Sequence, residues 1–147
     1  MDRNSLFDNP FAIIILFFLV AFVNIILPIY FISILLAGVV FVAFIRAVEK
    51  RYTYILICII FIFNIIEISQ GLKIFSLSLW SYFIYLFILP NIKSLFASKY
   101  LLLLVKVFIF YMGIGILFYF SGVFTLDIVS ILVLNYILDI IMVSWII

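Results

Sequence analysis

Polar side chains with the spacing of a helix face cluster in the middle of a strongly apolar chain. The stretch IIEISQGLKIFS contains Glu67, and Asn64 precedes this carboxylate by three residues. Residues three or four apart lie on one face of a helix, so the amide and the carboxylate can act together. Hydroxyl groups then form a polar stripe at helical spacing: Ser78, Ser81, Tyr82 and Tyr85. This pattern indicates an outward-facing cavity for a ligand, or a groove for a partner.

A turn between two helices explains the same stretch without a ligand. Gly71 permits the backbone conformation of a tight turn. Lys73 can then face Glu67 across the turn as a local ion pair at the membrane surface. The sequence leaves the hairpin and the binding site open as alternatives.

Two further charges lie deep inside apolar segments. Asp139 follows Asn135 by one helical turn, and Lys106 lies about two turns into the preceding segment. At 1.5 Å per residue each is roughly 10 Å from the surface, where an unpaired charge costs ~2.5–3.5 kcal/mol. We therefore expect a Lys106–Asp139 ion pair, and the alternative is a lysine whose amine extends to the surface. Asp127, which follows Thr125, is expected to cap the last helix.

The composition indicates a membrane protein. The chain has 147 residues, of which 71% are hydrophobic and only 10% are charged, whereas soluble domains carry about 25% charged residues. Such a chain cannot cover its own surface with polar groups, so the bilayer is the solvent that fits. Its single cysteine, Cys58, excludes an intramolecular disulfide and is expected to be a small buried residue.

The apolar runs predict a single all-helical membrane domain, residues 1–147, with about six transmembrane helices. A crossing needs ~20 residues, and several runs are shorter than that. The predicted helices cover residues 11–26, 29–45, 52–68, 74–89, 100–120 and 127–146.

The basic residues predict the orientation of these helices, because lysine and arginine favour the cytoplasmic side. With both termini in the cytoplasm, only Lys73 lies in an outer loop. The cytoplasmic side then receives Arg3, Arg46, Lys50, Arg51, Lys93 and Lys99.

Small residues predict where the helices approach each other closely, since helix contact in lipid depends on van der Waals packing. Ser33 and Ala37, with Gly38 beside them, form a small surface on the second helix. Gly113 and Gly115 do the same on the fifth.

The sequence predicts no enzymatic activity, no cofactor and no bound metal. It has no histidine, and this removes most zinc and haem chemistry. The phosphate-binding loop, the nucleophile elbow of hydrolases and the H-E-x-x-H zinc motif are all absent. The basic residues are scattered and form no stripe for nucleic acid.

The layout around residue 67 resembles a known bacterial family. The third helix ends in an acidic residue with a glycine four positions later, and a fourth helix and a short basic loop follow. This is similar to the D-[LF]-x-x-G-x-x-x-G-like motif of the rod-shape-determining MreD family. Here "EISQGLKIF" supplies Glu67 and Gly71, while glutamate replaces the usual aspartate and Phe75 replaces the second glycine. The likeness extends loosely to "SYFIYLFILPNIKSLF" and to Asn135.

The resemblance implies a non-enzymatic subunit of the cell-elongation machinery in the bacterial cytoplasmic (inner) membrane. Its partners would be membrane lipid, an MreC-like bitopic protein, the MreB filament and the RodA/penicillin-binding synthase pair, which make peptidoglycan. The family also resembles the six-helix substrate-binding subunits of energy-coupling-factor transporters, which implies a small-molecule-binding subunit as the alternative. A proton or ion pathway through Glu67, Lys106 and Asp139 is a third.

Overall fold

The computed structural model describes residues 10–26, 35–122 and 124–146, and every regular element in these ranges is a helix. The segments α4 and α5 are joined by a π-helical turn at Ile84–Ile88 without a break, so the described residues form six helical rods. The helices are α1 Pro10–Ile26, α2 Ala37–Glu49, α3 Thr53–Gln70, α4 Ser76–Phe83, α5 Leu89–Leu95, α6 Lys99–Phe120 and α7 Leu126–Ile146.

Three of the described helices are long and apolar enough to cross a membrane: α3, α6 and residues Leu126–Trp145 of α7. In α1 a shorter apolar stretch covers Ile14–Ile26. Large apolar side chains such as Phe18 and Phe120 are exposed on the outside of the bundle, as expected for contact with lipid. The predicted all-helical fold is confirmed in the described residues, and its three long apolar helices are consistent with a membrane protein. The number of crossings stays a prediction. Cys58 is also exposed, so its predicted burial is wrong.

The short helix α2 forms the centre of the bundle. Its residues from Ala37 to Ile45 are all buried, and it packs against α3, α6 and α7. Thirteen residues span about 20 Å, roughly two-thirds of a ~30 Å hydrocarbon core. The first part of the predicted second helix, residues 29–34, lies outside the described residues. The described helix begins only at Ala37, because Leu36 adopts the left-handed conformation with φ 49°.

The fourth predicted helix ends at Leu89, and this end is wrong. The helix continues through Pro90 to Leu95. Proline has no N–H and its ring clashes with the carbonyl four residues earlier in a regular α-helix. The π-helical turn at Ile84–Ile88 contains the carbonyl four residues before Pro90, so the regular α-helical geometry is interrupted where the clash would occur.

One end of the bundle carries most of the described basic residues, and we call it the basic end. There the Lys93 Nζ lies 2.7 Å from the Glu49 Oε1, so the end of α2 and α5 meet. The residues that define the basic end are Arg46, Lys50, Arg51, Lys93 and Lys99. Which side of the membrane this end faces stays a prediction.

Two of the predicted small residues lie at close helix contacts. A Cβ at Gly38 would meet the Oδ2 of Asp139 at 2.6 Å, and one at Gly113 would overlap the indole of Trp80. Gly115 is less restricted, since its Cβ would lie 3.8 Å from Leu132. Ser33 lies outside the described residues.

Candidate functional site

A buried carboxylate from α7 caps the first turn of α2. The Oδ2 of Asp139 accepts a hydrogen bond from the backbone nitrogen of Gly38 at 2.6 Å. It accepts a second from the hydroxyl of Tyr111 in α6. The side chain of Asp139 is fully buried, and α2 has no side-chain cap of its own. A carboxylate at this position satisfies a free N–H and interacts favourably with the positive end of the helix dipole.

Two asparagines bind the backbone of Leu35, which lies two residues before the start of α2. The Oδ1 of Asn135 accepts from the nitrogen of Leu35 at 2.8 Å. The Nδ2 of Asn24 donates to the oxygen of Leu35 at 2.9 Å. Backbone groups at membrane depth need partners inside the protein, because lipid offers none. We call these four side chains the α2 junction: Asn24, Tyr111, Asn135 and Asp139.

Two oxygens at the α2 junction have no hydrogen-bond partner among the described residues. They are the Oδ1 of Asp139 and the Oδ1 of Asn24, and both side chains are almost completely buried. The other polar atoms of these two side chains bind the backbone at the start of α2 or just before it. The described part of the junction therefore leaves two acceptor oxygens without a donor.

The predicted Lys106–Asp139 ion pair is wrong. Both residues are described, and the bonded oxygen of Asp139 is held by Gly38 and Tyr111 instead. Lys106 lies five residues from Tyr111 toward the basic end, a distance of about 7.5 Å along α6. It is half-buried and interacts electrostatically with Lys93, Glu49 and Arg46. Its surroundings match the alternative of a lysine that extends toward the surface.

Glu67 caps the helix that follows it. Its Oε2 accepts from the nitrogen of Phe75 at 2.6 Å. Its Oε1 accepts from the nitrogen of Leu77 at 2.5 Å and from the hydroxyl of Ser76 at 3.3 Å. The side chain is fully buried, and both of its oxygens are bonded. Glu67 therefore joins the end of α3 to the start of α4.

Gly71 completes this turn. It adopts the left-handed conformation with φ 70° and ends α3. The nitrogen of Leu72 donates to the oxygen of Glu67 at 2.9 Å, and that of Gly71 donates to Ile68 at 3.3 Å, which is the Schellman pattern of helix ends. The predicted hairpin is thus present, but its predicted ion pair is wrong. Glu67 is bonded to α4 while Lys73 is exposed.

The polar stripe after this turn does not face one cavity. Ser81 is buried and donates to the oxygen of Leu77 at 2.8 Å. Tyr82 is 52% exposed on the outside. The remaining members of the prediction are half-buried: Asn64, Ser78 and Tyr85. The Oδ1 of Asn64 and the Oγ of Ser78 are buried without a partner.

An apolar groove of about 390 Å³ runs between α6 and α7. The polar and charged residues in the sequence give no sign of this groove, although its α6 residues recur every three or four positions. Tyr136 in its wall directs its hydroxyl to the oxygen of Leu104 at 3.5 Å. The groove is lined by Phe108, Tyr111, Met112, Gly115, Ile116, Tyr119, Phe124, Val129, Leu132, Val133 and Tyr136.

At the start of α7 the capping contact comes from Thr125. Its Oγ1 accepts from the nitrogen of Ile128 at 3.4 Å. Asp127 is exposed in the first turn, where its charge is favourable for the helix dipole. It takes no part in the α2 junction.

The described residues contain no group of three or more histidine, cysteine, aspartate or glutamate side chains that could hold a metal ion. In comparisons with known proteins, the chain matches no family model, no curated protein and no solved structure.

Proposed function

We propose that this chain is a non-enzymatic membrane subunit that assembles with other membrane proteins, and that the α6–α7 groove receives the transmembrane helix of a partner. The groove carries this proposal. Its wall on α6 runs from Phe108 to Tyr119, about 16 Å along one helix face. A helix binds in a groove through side chains spaced three and four residues apart. Gly115 in this wall permits close approach of the partner.

The internal use of the buried carboxylates supports this proposal. Glu67 and Asp139 each bind the start of a helix within the chain. The two buried carboxylates, which were candidates for a ligand or ion site, thus hold helices together within the chain. The exposed surface of α6 and α7 is largely apolar, and such a surface recognises its partner through shape and van der Waals contact.

The resemblance to the MreD family extends the proposal to a partner and a place. The chain would lie in the bacterial cytoplasmic membrane with both termini in the cytoplasm. It would work with an MreC-like bitopic protein, the MreB filament and the RodA/penicillin-binding synthase pair. The two residues that carry the resemblance, Glu67 and Gly71, act together in the turn between α3 and α4. This gives the acidic residue and the glycine four positions later a shared structural role.

A small-molecule-binding subunit of an energy-coupling-factor transporter remains the alternative. It requires a polar pocket near Glu67, but both oxygens of Glu67 are bonded to α4. The described α6–α7 groove is apolar and contains no residue of α3 or α4. Its chemistry favours an apolar occupant over a water-soluble vitamin.

Two matched substitutions test the groove. Ile116 in the groove and Ile57 on α3 are each 49% exposed. We expect Ile116→Trp to fill the groove and Ile57→Trp to add the same bulk to a lipid-facing surface. In a pull-down from mild detergent, the native chain and Ile57→Trp should recover a bitopic MreC-like protein. Ile116→Trp should recover about tenfold less, as a loss of ~1.4 kcal/mol predicts.

Each other outcome contradicts a part of the proposal. Equal recovery by both variants would show that the partner does not use the groove. If native mass spectrometry then finds a phospholipid that only Ile116→Trp loses, the occupant is lipid. Recovery of an ABC-type ATPase would favour the transporter subunit.

A further inference from the structure

The two buried carboxylates of this chain differ in how their oxygens are bonded. Both oxygens of Glu67 accept hydrogen bonds from the start of α4. In Asp139 only Oδ2 is bonded, to Gly38 and Tyr111, while Oδ1 is buried and has no partner. The donors to Glu67 are therefore shared between its two oxygens, whereas the first turn of α2 and Tyr111 supply Asp139 without a hydrogen bond to Oδ1.

The first turn of α2 partly compensates the charge of an ionised Asp139. No described cation lies beside it, however, and a buried charge that is not fully paired is costly. The charges on α2 are remote: Arg46 and Glu49 lie eight and eleven residues beyond Gly38, about 12 and 16 Å along the axis. On α6, Lys106 is directed to the basic end, and Tyr111 is the titratable group that faces Asp139.

The remaining elements supply no countercharge in the described residues. The described part of α1 has no charged side chain, and it contributes the neutral Asn24 to the junction. On α7 itself, the other carboxylate is Asp127, twelve residues away at the far end of the helix.

We propose that Asp139 is a proton-binding site inside the membrane domain, with the proton on Oδ1. A proton there removes the charge and leaves both hydrogen bonds to Oδ2 in place. It also turns Oδ1 into a donor, which the junction lacks. The Oδ1 of Asn24, an acceptor without a partner at the same junction, matches this donor in chemistry.

The proton on Asp139 is sealed inside the bundle. The side chain has no exposed surface, so the helices around it must move before water can reach it. Separation of the start of α2 from α7 would expose the carboxyl group and so release the proton. The site links the protonation of one carboxyl group to a movement of the central helix, and Tyr111 connects it to the α6–α7 groove, whose wall this residue also forms.

Infrared spectroscopy of the purified protein in lipid nanodiscs at neutral pH tests this proposal. A protonated carboxyl group has a C=O stretching band that an ionised carboxylate lacks. We expect one such band, and we expect it to shift when aspartate is labelled with ¹³C. Asp139→Asn should remove it, while Asp127→Asn and Glu67→Gln should keep it.

The test remains decisive if Asp139→Asn fails to fold. Asp139→Glu keeps a carboxyl group, and under aspartate labelling its band should lose the isotope shift. A native protein without a label-sensitive band would overturn the proposal, as would a band that only Glu67→Gln removes. Stabilisation by sodium ions without such a band would identify a cation site instead.

Discussion

The Oδ2 atom of Asp139 lies 2.6 Å from the backbone nitrogen of Gly38, and the two helices meet so closely that no side chain fits at position 38. A Cβ there would stand 2.6 Å from that oxygen and 2.9 Å from the Cγ1 of Val107. We expect Gly38→Ala to lower the free energy of unfolding by about 1–3 kcal/mol, as overpacking of a buried contact does. Unfolding in mixed micelles measures this change.

Gly115→Ala is the matched control for that substitution. Its Cβ would lie 3.8 Å from Leu132, an ordinary van der Waals distance, so its effect should be small. Equal stability of Gly38→Ala and the native protein would mean that α2 and α7 are further apart than the structure has them.

The cap that Glu67 provides predicts a graded series of substitutions. Glu67→Ala leaves the nitrogens of Phe75 and Leu77 without acceptors, and loss of a helix cap costs about 0.5–2 kcal/mol. Glu67→Gln keeps one acceptor oxygen and should cost less. The control is Glu49→Ala, which removes the partly exposed pair with Lys93, worth about 0–1 kcal/mol, and no helix cap. Thermal unfolding of the three variants in one detergent would compare them, and a loss for Glu49→Ala as large as for Glu67→Ala would argue against the cap.

Double-mutant cycles can distinguish Tyr111, which contacts Asp139, from Lys106, which only lies at a similar depth in the membrane. Tyr111→Phe and Asp139→Asn should be coupled, because the hydroxyl of Tyr111 donates to Asp139. Couplings between membrane helices average about 0.6 kcal/mol and reach about 1.7 kcal/mol. Lys106→Ala and Asp139→Asn should be additive within about 0.3–0.5 kcal/mol. The free energies of unfolding of the single and double variants give both couplings, and a larger coupling for Lys106 than for Tyr111 would restore the ion pair.

The distribution of basic residues predicts that the basic end faces the cytoplasm. Ser98 and Ser69 are exposed at opposite ends of the bundle. Replacing either serine with cysteine leaves the distribution of charged residues unchanged. In a Cys58→Ser background, an impermeant maleimide should label Ser69→Cys in intact cells. Ser98→Cys should react only after the membrane is opened. The reverse pattern would invert the orientation.

The long helices could be predicted from the sequence because their boundaries follow from hydropathy. The segment predicted at 100–120 is observed as Lys99–Phe120, and that at 127–146 as Leu126–Ile146. The central helix was harder to predict. Its start at Ala37 depends on Leu36 in the left-handed conformation and on a cap from α7. Neither feature can be predicted from the residues around position 37 alone.

The site residues show the same limit. The burial of Asp139 was expected because its neighbours in sequence are apolar. Its partners were missed, since Gly38 is 101 residues away and Tyr111 is 28 residues away. Lys106 was predicted as the partner of Asp139 because the two residues lie at a similar depth along their helices. Which side chain of α6 faces α7 depends on the rotation of α6 about its own axis, and packing sets that rotation.

The cap on α2 has a consequence for synthesis. A chain is made from its amino terminus, so α2 exists about a hundred residues before Asn135 and Asp139 are made. Until then the first N–H groups of α2 have no acceptor from α7, and hydrocarbon supplies none. The start of α2 is therefore completed only after α7 has been made and packs against it, so closure of the junction is a late step in the folding of this chain.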